Sequence, residues 1–224
     1  MLWTPTLCLF DKFAHDGESR YVEDYDPTAP DQATRVPLLR HPRFVNDPKR
    51  FERIVDLEEY YDDLRDDRLP AVAYIAPAGS SEHPPSRIAT GETLVRRLVT
   101  ALSISDAWPS SAFMWTYDEP GGWFDHVRPP RVGGARLGLR VPALLVSPYA
   151  RRGHVDSTTL DTTSILRFIE DNWGLSQLTH RDRDAFNLSY LFDFEQDPLE
   201  PFELPLREDC VGPRLHKLDT ADGD

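Results

Sequence analysis

The sequence predicts an α/β protein built on a largely parallel sheet with helices over both faces. Three observations carry that expectation. Short runs that are apolar almost throughout recur at 71–76, 111–117 and 141–146, as strands buried on both sides require. Stretches with apolar residues three and four apart occupy 56–67, 90–103 and 158–173, as helices packed by one face require. The two kinds alternate along the chain, which is the order of an α/β fold.

Taken in order, residues 6–21 read as a short helix and then a strand. Leu7, Leu9, Phe10 and Phe13 are apolar, and Asp16-Gly17 breaks the run. Residues 23–48 are rich in proline and charge and read as a long loop. In 56–67, Leu57, Tyr60, Tyr61 and Leu64 recur at helical spacing among acids, and Leu69-Pro70 ends the helix. The run 71–76 is bounded by Pro70 and Pro77, a length that favours a strand. In 90–103, Leu94, Leu98 and Leu102 stack one turn apart. The strand 111–117 is rich in aromatics, and 141–146 is a third strand. Ile165, Phe168 and Ile169 share a face of the last helix, and Gly174 is its stop. The chain divides into a domain over 1–194 and an acidic, proline-containing tail over 195–224 that reads as extended.

Composition narrows the function classes. The 224 residues carry a formal net charge of -13. Nucleic-acid binding needs a basic footprint, so no nucleic-acid partner is expected. The 20 prolines outnumber the 12 glycines and cluster as Pro84-Pro85 and Pro129-Pro130, which predicts long surface loops. Two cysteines, Cys8 and Cys210, lack a Cys-x-x-Cys spacing, which excludes a zinc ribbon. The first ten residues lack the basic start and small-residue cleavage site of a signal peptide. No stretch approaches the ~18 apolar residues of a membrane span. Nothing here assigns a compartment.

One segment concentrates the chemistry. The strand 111–117 runs directly into the adjacent carboxylates Asp118 and Glu119, then Gly121-Gly122, then Asp125-His126. The glycines permit a tight turn. Three carboxylates and an imidazole at a strand end suit a divalent cation, with oxygen ligands for hard ions and the imidazole for zinc or manganese. The plain alternative is a charged turn. A second strand-end loop, Ser80-Ser-Glu-His-Pro-Pro85, places His83 where it can meet a phosphate oxygen, a metal or a proton. Arg151 and Arg152 beside His154 form a weaker anion-binding candidate, with a solvated loop as the alternative. Thr158, Thr159, Thr162 and Thr163 read as helix-start residues, and Trp115 and Trp123 as core or pocket wall. The sequence contains no serine nucleophile elbow, P-loop or dinucleotide glycine motif.

These motifs together resemble a known family. Glu82-His-Pro-Pro85, Gly91, Thr116-Tyr-Asp-Glu-Pro-Gly-Gly-Trp-Phe-Asp-His-Val127, Leu137-Gly-Leu-Arg-Val-Pro-Ala-Leu-Leu-Val-Ser-Pro-Tyr149 and Asp161-Thr-Thr-Ser-Ile-Leu-Arg-Phe-Ile-Glu170 are similar to the phosphoesterase family of bacterial phospholipases C and acid phosphatases. The resemblance covers roughly residues 6–194. It implies an alkaline phosphatase-like sandwich, a largely parallel sheet between helices, and hydrolysis of phosphoric esters such as phospholipid headgroups. It implies a divalent metal ion held by Asp118 and Glu119, and His83 facing the phosphate. Asp125 is then a substrate-side group or a brace of the turn, and His126 joins His83 as a candidate for acid chemistry.

Two departures from the family pattern shape the expectation. The family's opening strand ending in Glu-Asn, its Arg-Ser-Phe-Asp-like stretch and its Thr or Ser nucleophile are not found in the sequence, so the nucleophile is unknown. Many members carry His where this chain has Thr162. The chain is therefore expected to lack the N-terminal part of the fold and to be inactive alone, with a missing segment or chain as partner. The alternative is a non-catalytic remnant that acts as a binding module.

Overall fold

Three short parallel strands open the fold. The computed structural model describes residues 12–15, 37–76, 82, 84, 87–132 and 134–205. β1 (Lys12–His15), β2 (Ile54–Asp56) and β3 (Ala73–Ala76) form a sheet in the order β2-β1-β3, all parallel, with Phe13 opposite both Ile54 and Tyr74. β1 falls inside the stretch read as helix then strand; the rest of 6–21 lies outside the described residues. Cys8 and Cys210 lie outside them too.

The expected loop over 23–48 is helical in its described part. A 3-10 turn (Pro37–Arg40), α1 (Pro42–Val45) and α2 (Pro48–Phe51) each start on a proline. Proline's fixed φ suits a first turn, so the prolines that suggested a loop start helices instead. Asp47 caps α2 by accepting from the Lys49 amide at 3.1 Å. Leu39 and Ile54 pack with Leu38 and Phe51 as a small satellite core. β2 is too short for periodicity to reveal, and Asp56, read as helical, closes it.

α3 (Glu58–Arg65) has Glu58 and Glu59 in its first turn and Arg65 in its last, matching the helix dipole. It stops at Asp67, which takes a left-handed φ of 51° while the Arg68 amide donates to the Asp63 carbonyl at 2.8 Å. α4 (Ile88–Ser103) buries Gly91, Leu94, Leu98, Val99 and Leu102, the face that the leucine spacing predicts. Leu57, Tyr60 and Leu64 meet Leu94, Leu98 and Leu102 in the main core, closed by Trp108. The Tyr60 hydroxyl donates to the Leu98 carbonyl at 3.1 Å, which satisfies the one polar atom it brings inside.

The sheet departs from expectation at β4 (Phe113–Thr116) and β7 (Ala143–Val146), which pair antiparallel with Phe113 opposite Val146. Parallel neighbours need a crossover, usually helical. Between these strands the chain holds only a loop and the hairpin of β5 (Arg131–Val132) and β6 (Ala135–Arg136), so it returns antiparallel. The protein is α/β, with parallel pairing confined to β2-β1-β3 among the described residues.

α5 (Thr162–Trp173) starts later than the pattern suggested. Asp161 caps it, accepting from the Thr163 amide at 2.7 Å, and Ser164 returns the bond to the Asp161 amide at 3.3 Å. Gly174 ends it with φ 64°. A short α6 (His180–Arg183), capped by Thr179, packs beside it, followed by a 3-10 turn (Leu188–Leu191). Phe168, Phe192 and Phe194 stack face to face with centroids 5.4 and 5.7 Å apart. Residues 195–205 form neither helix nor strand and run across the main core. Leu199 donates to the Pro148 carbonyl at 2.9 Å, Trp108 Nε1 donates to the Leu199 carbonyl at 2.8 Å, and Phe202 meets Trp108 edge-on at 5.6 Å. Among the described residues no helix is long and apolar enough to cross a membrane.

Candidate active site

The site is built on the carboxyl end of β4. Thr116 closes the strand, its hydroxyl donating to the Pro142 carbonyl at 3.1 Å. Tyr117 follows, edge-on to Trp115 at 4.8 Å, and donates its hydroxyl to Glu82. Burial and then the Glu82 carboxylate push the Tyr117 phenol up to about 12. Glu82 fits because position 91 is glycine: a Cβ there would overlap the Glu82 carboxylate.

Asp118 and Glu119 come next, both exposed. Gly121 and Gly122 then turn the chain with φ 64° and 80°, and the Trp123 amide donates to the Pro120 carbonyl at 3.1 Å. A Cβ on Gly121 would sit 3.3 Å from Pro84 Cδ, so the second strand-end loop lies against this turn. Trp123 and Phe124, 70% and 90% exposed, line the open groove at this turn, as the pocket-wall reading of Trp123 expects.

Asp125 is held in place by Arg140. Arg140 Nε and Nη2 reach its two oxygens at 2.8 and 2.9 Å, and the Val127 amide donates at 3.0 Å. Those bonds keep the Asp125 carboxyl far below the usual range. His126 is exposed, with Nδ1 3.7 Å from Asp125 Oδ1. An open groove of about 2490 Å³ is lined by Glu82, Pro84, Tyr117, Asp118, Glu119 and Asp125 among others.

The structure therefore brings Asp118, Glu119 and Asp125 to one groove with the residues on either side of His83. His83 itself lies outside the described residues. Both Asp125 oxygens are engaged by protein. Arg151 and Arg152 donate to the backbone carbonyls of Tyr190 and Asp197 at 2.7 and 2.6 Å, away from the groove. His154 lies 3.5 Å from Asp156, which the Tyr190 hydroxyl also meets at 2.9 Å. Thr162 and Thr163 open α5, as the helix-start reading expects. Tyr117, Glu82 and Arg140 were not singled out from the sequence. Each lies within a quoted motif, and what marks them is partnership across 35 or 15 residues.

A divalent cation would need more donors than these residues supply. Asp118 and Glu119 offer hard oxygen ligands of the right kind. Among the described residues, however, no group of three or more histidine, cysteine, aspartate or glutamate side chains is arranged to hold a metal ion. The described residues do not form a closed cation site.

Comparison with known proteins decides the lineage. The family model described as the phosphoesterase family matches residues 23–176. The chain belongs to the phosphoesterase family. This phosphoesterase chain is 32% identical over 185 residues to phospholipase C B of Mycobacterium tuberculosis, covering 70% of this chain and 34% of that protein. It is 30% identical over 177 residues to non-specific phospholipase C6 of Arabidopsis thaliana, covering 62% and 34%. It is 37% identical over 136 residues to non-hemolytic phospholipase C of Burkholderia pseudomallei, covering 48% and 19%. The phosphoesterase chain spans about a third of the length of the mycobacterial relatives that it matches.

Proposed function

We propose that this chain carries the strand-end carboxylate part of a phosphoric ester hydrolase of the phospholipase C type, acting on phosphate esters or phospholipid headgroups. The observation that carries the reading is the position of Asp118 and Glu119. They follow β4 after a single residue, Tyr117, within the family match, in a groove shared with Glu82 and Pro84. Ligands in α/β sheets sit beyond the carboxyl ends of strands.

In this reading the fold is an alkaline phosphatase-like sandwich, and the opening Glu-Asn strand and hydroxyl nucleophile come from outside this chain. Asp118 and Glu119 would contribute two carboxylates to a divalent cation, which needs further donors to close its shell. His83 meets the phosphate. His126, exposed beside the turn, is placed to donate a proton to a leaving oxygen. Asp125 braces: with both oxygens on Arg140, it fixes the loop that carries Asp118 and Glu119 at one end and His126 at the other. The second reading, a non-catalytic binding module, is favoured by one observation, the incomplete donor set among the described residues.

The test is hydrolysis of p-nitrophenyl phosphate and p-nitrophenyl phosphorylcholine with manganese, zinc or calcium. The 224-residue chain alone should turn over hardly at all, because losing a nucleophile costs several orders of magnitude. Joined to the portion of the mycobacterial phospholipase C that the match leaves out, it should hydrolyse, and Asp118→Ala should abolish that. A folded chimera without Asp118-dependent turnover sinks the hydrolase reading. Robust turnover by the chain alone refutes the need for an outside nucleophile. In calorimetry the chain alone should bind these cations weakly. Micromolar binding that survives Asp118→Ala and Glu119→Ala places the metal elsewhere.

A further inference from the structure

The groove that carries the site continues between two strands, and the proposed chemistry uses only one end of it. β3, α4 and β4 follow one another as strand, helix and strand. Tyr117, just after β4, donates to Glu82, in the loop after β3, so both strands bring their carboxyl ends to the same end of the groove. Ile75 of β3 and Phe113 of β4 pack against the core that holds the α4 leucines. Two strands joined in this way by one crossover helix ordinarily share a sheet. Here they are not hydrogen-bonded to each other. β3 ends the order β2-β1-β3, and β4 pairs with β7 alone among the described residues. Every residue of both strands lines the groove, which is therefore a slot between two sheets.

The walls of the slot define what it accepts. Phe113, Met114 and Trp115 of β4 are only half-buried, although strands this apolar bury both faces in a helix-covered sheet. α4 lines the slot through Val95 and Leu98, and α5 through Ile165 and Phe168. An occupant thus meets backbone donors and acceptors along β4 and apolar side chains from two helices. An open strand edge is a template for a further strand. Apolar helical walls require that strand to be an apolar run.

We propose that an extended apolar strand, from the part of a phospholipase C-type chain that lies outside the match, enters this slot and pairs with the open edge of β4, joining the two sheets into one. The strand edge selects a strand, and chain length selects its source. The match to the mycobacterial phospholipase C B covers 34% of that protein, which leaves most of that chain to supply it. A second copy fits poorly. Each strand among its described residues is already tied to a neighbour on one edge, and a slot bordered by β3 and two helices does not admit a sheet. The choice of source rests on the phospholipase C-type reading; the slot does not.

The experiment is hydrogen exchange over β4, read by mass spectrometry. In the 224-residue chain alone, the β4 amides that β7 does not hold should exchange quickly. In the chimera with the unmatched portion of the mycobacterial phospholipase C, or on co-expression with that portion as a separate chain, exchange over 113–116 should slow by at least about a hundredfold. Val95→Glu and Ile165→Glu each put a carboxylate in one helical wall and should each undo that protection by at least about tenfold. Both side chains are half-buried and outside the core clusters, so each variant of the chain alone should melt near the wild type, which a thermal scan checks. The proposal falls if neither arrangement slows exchange at β4, if protection appears on β7 and not on β4, or if both variants are protected like the unaltered chimera. It also falls if the chain alone already protects β4, through its own residues or through a second copy seen by sedimentation. Exchange and turnover are read separately. Protection without Asp118-dependent hydrolysis keeps the slot and sinks the hydrolase reading, and hydrolysis without protection does the reverse.

Discussion

Glycine at position 91 sits in the interior of α4, where alanine would ordinarily add roughly 1 kcal/mol of helix stability. Here its missing side chain makes room for Glu82, and through Glu82 it holds the hydroxyl of Tyr117. Gly91→Ala should therefore destabilise, because displacing a packed carboxylate typically costs 1–3 kcal/mol and outweighs the propensity gain; a net loss of about 1 kcal/mol in urea unfolding is expected. The same variant should lower the Tyr117 ionisation from about 12, part of which the Glu82 contact supports. Stability from that phenol is complete below the ordinary tyrosine range near 10 and is lost as pH climbs toward 12. Tyrosinate absorbance measured against pH checks both points, and an unchanged titration in Gly91→Ala would show that Glu82 does not depend on the glycine. None of this was legible in the sequence, where Gly91 looked like a residue opening a helix. The clash that demands glycine comes from a loop nine residues upstream, which no local pattern encodes.

The α5 and α6 pair carries a feature that pH can probe. Glu170, on α5, is 4% exposed, lies against Asp182 of α6, and has neither oxygen in a well-formed hydrogen bond. Burial first, then the neighbouring Asp182 carboxylate, raises its carboxyl above the ordinary range. Asp182 is instead held low, chiefly by the Thr179 hydroxyl and the amides of Leu178 and Thr179. The unfolded chain gives up the Glu170 proton at its ordinary value and the folded chain keeps it to higher pH. Stability thus falls as pH rises through that interval. Glu170→Gln should raise the melting temperature at pH 8 by roughly 2–4 °C and change little at pH 4. An equal shift at both pH values would separate the effect from ionisation. Among elements, the sequence disclosed those that bury a regular stripe, α3, α4 and α5, because one periodic face is a local property. It hid β2 and the β5-β6 hairpin, which are two or three residues long, and the direction of β7, which depends on the connection rather than on the strand's own residues. The Asp161 cap of α5 was overrun by the apolar pattern because Leu160 continues the stripe, although the Asp161–Ser164 box stands in the sequence.

Over the whole molecule, the candidate site was legible where chemistry and position coincide in a few consecutive residues, as at Asp118 and Glu119 after an apolar strand. The partners that shape it, Glu82 for Tyr117 and Arg140 for Asp125, required folding to find. The acidic segment after Asp193 read as a featureless tail because its composition is polar. Its apolar residues are few, and two of them matter: Leu199 and Phe202 reach back 91 and 99 residues to Trp108 and Ser103. Such separation has a kinetic consequence. Contacts that close so long a loop are entropically costly to make early, whereas α3 and α4 join neighbours in sequence. The crossing segment should thus be absent from the folding transition state. Removing its anchor by Phe202→Ala should leave the refolding rate nearly unchanged and speed unfolding by at least about tenfold, for a loss of roughly 2 kcal/mol. Stopped-flow chevrons distinguish the two limbs, and a slowed refolding limb would place this strap in the nucleus. The crossing segment's contribution to persistence is then a matter of how slowly the core opens, set by one aromatic side chain standing edge-on to a buried indole.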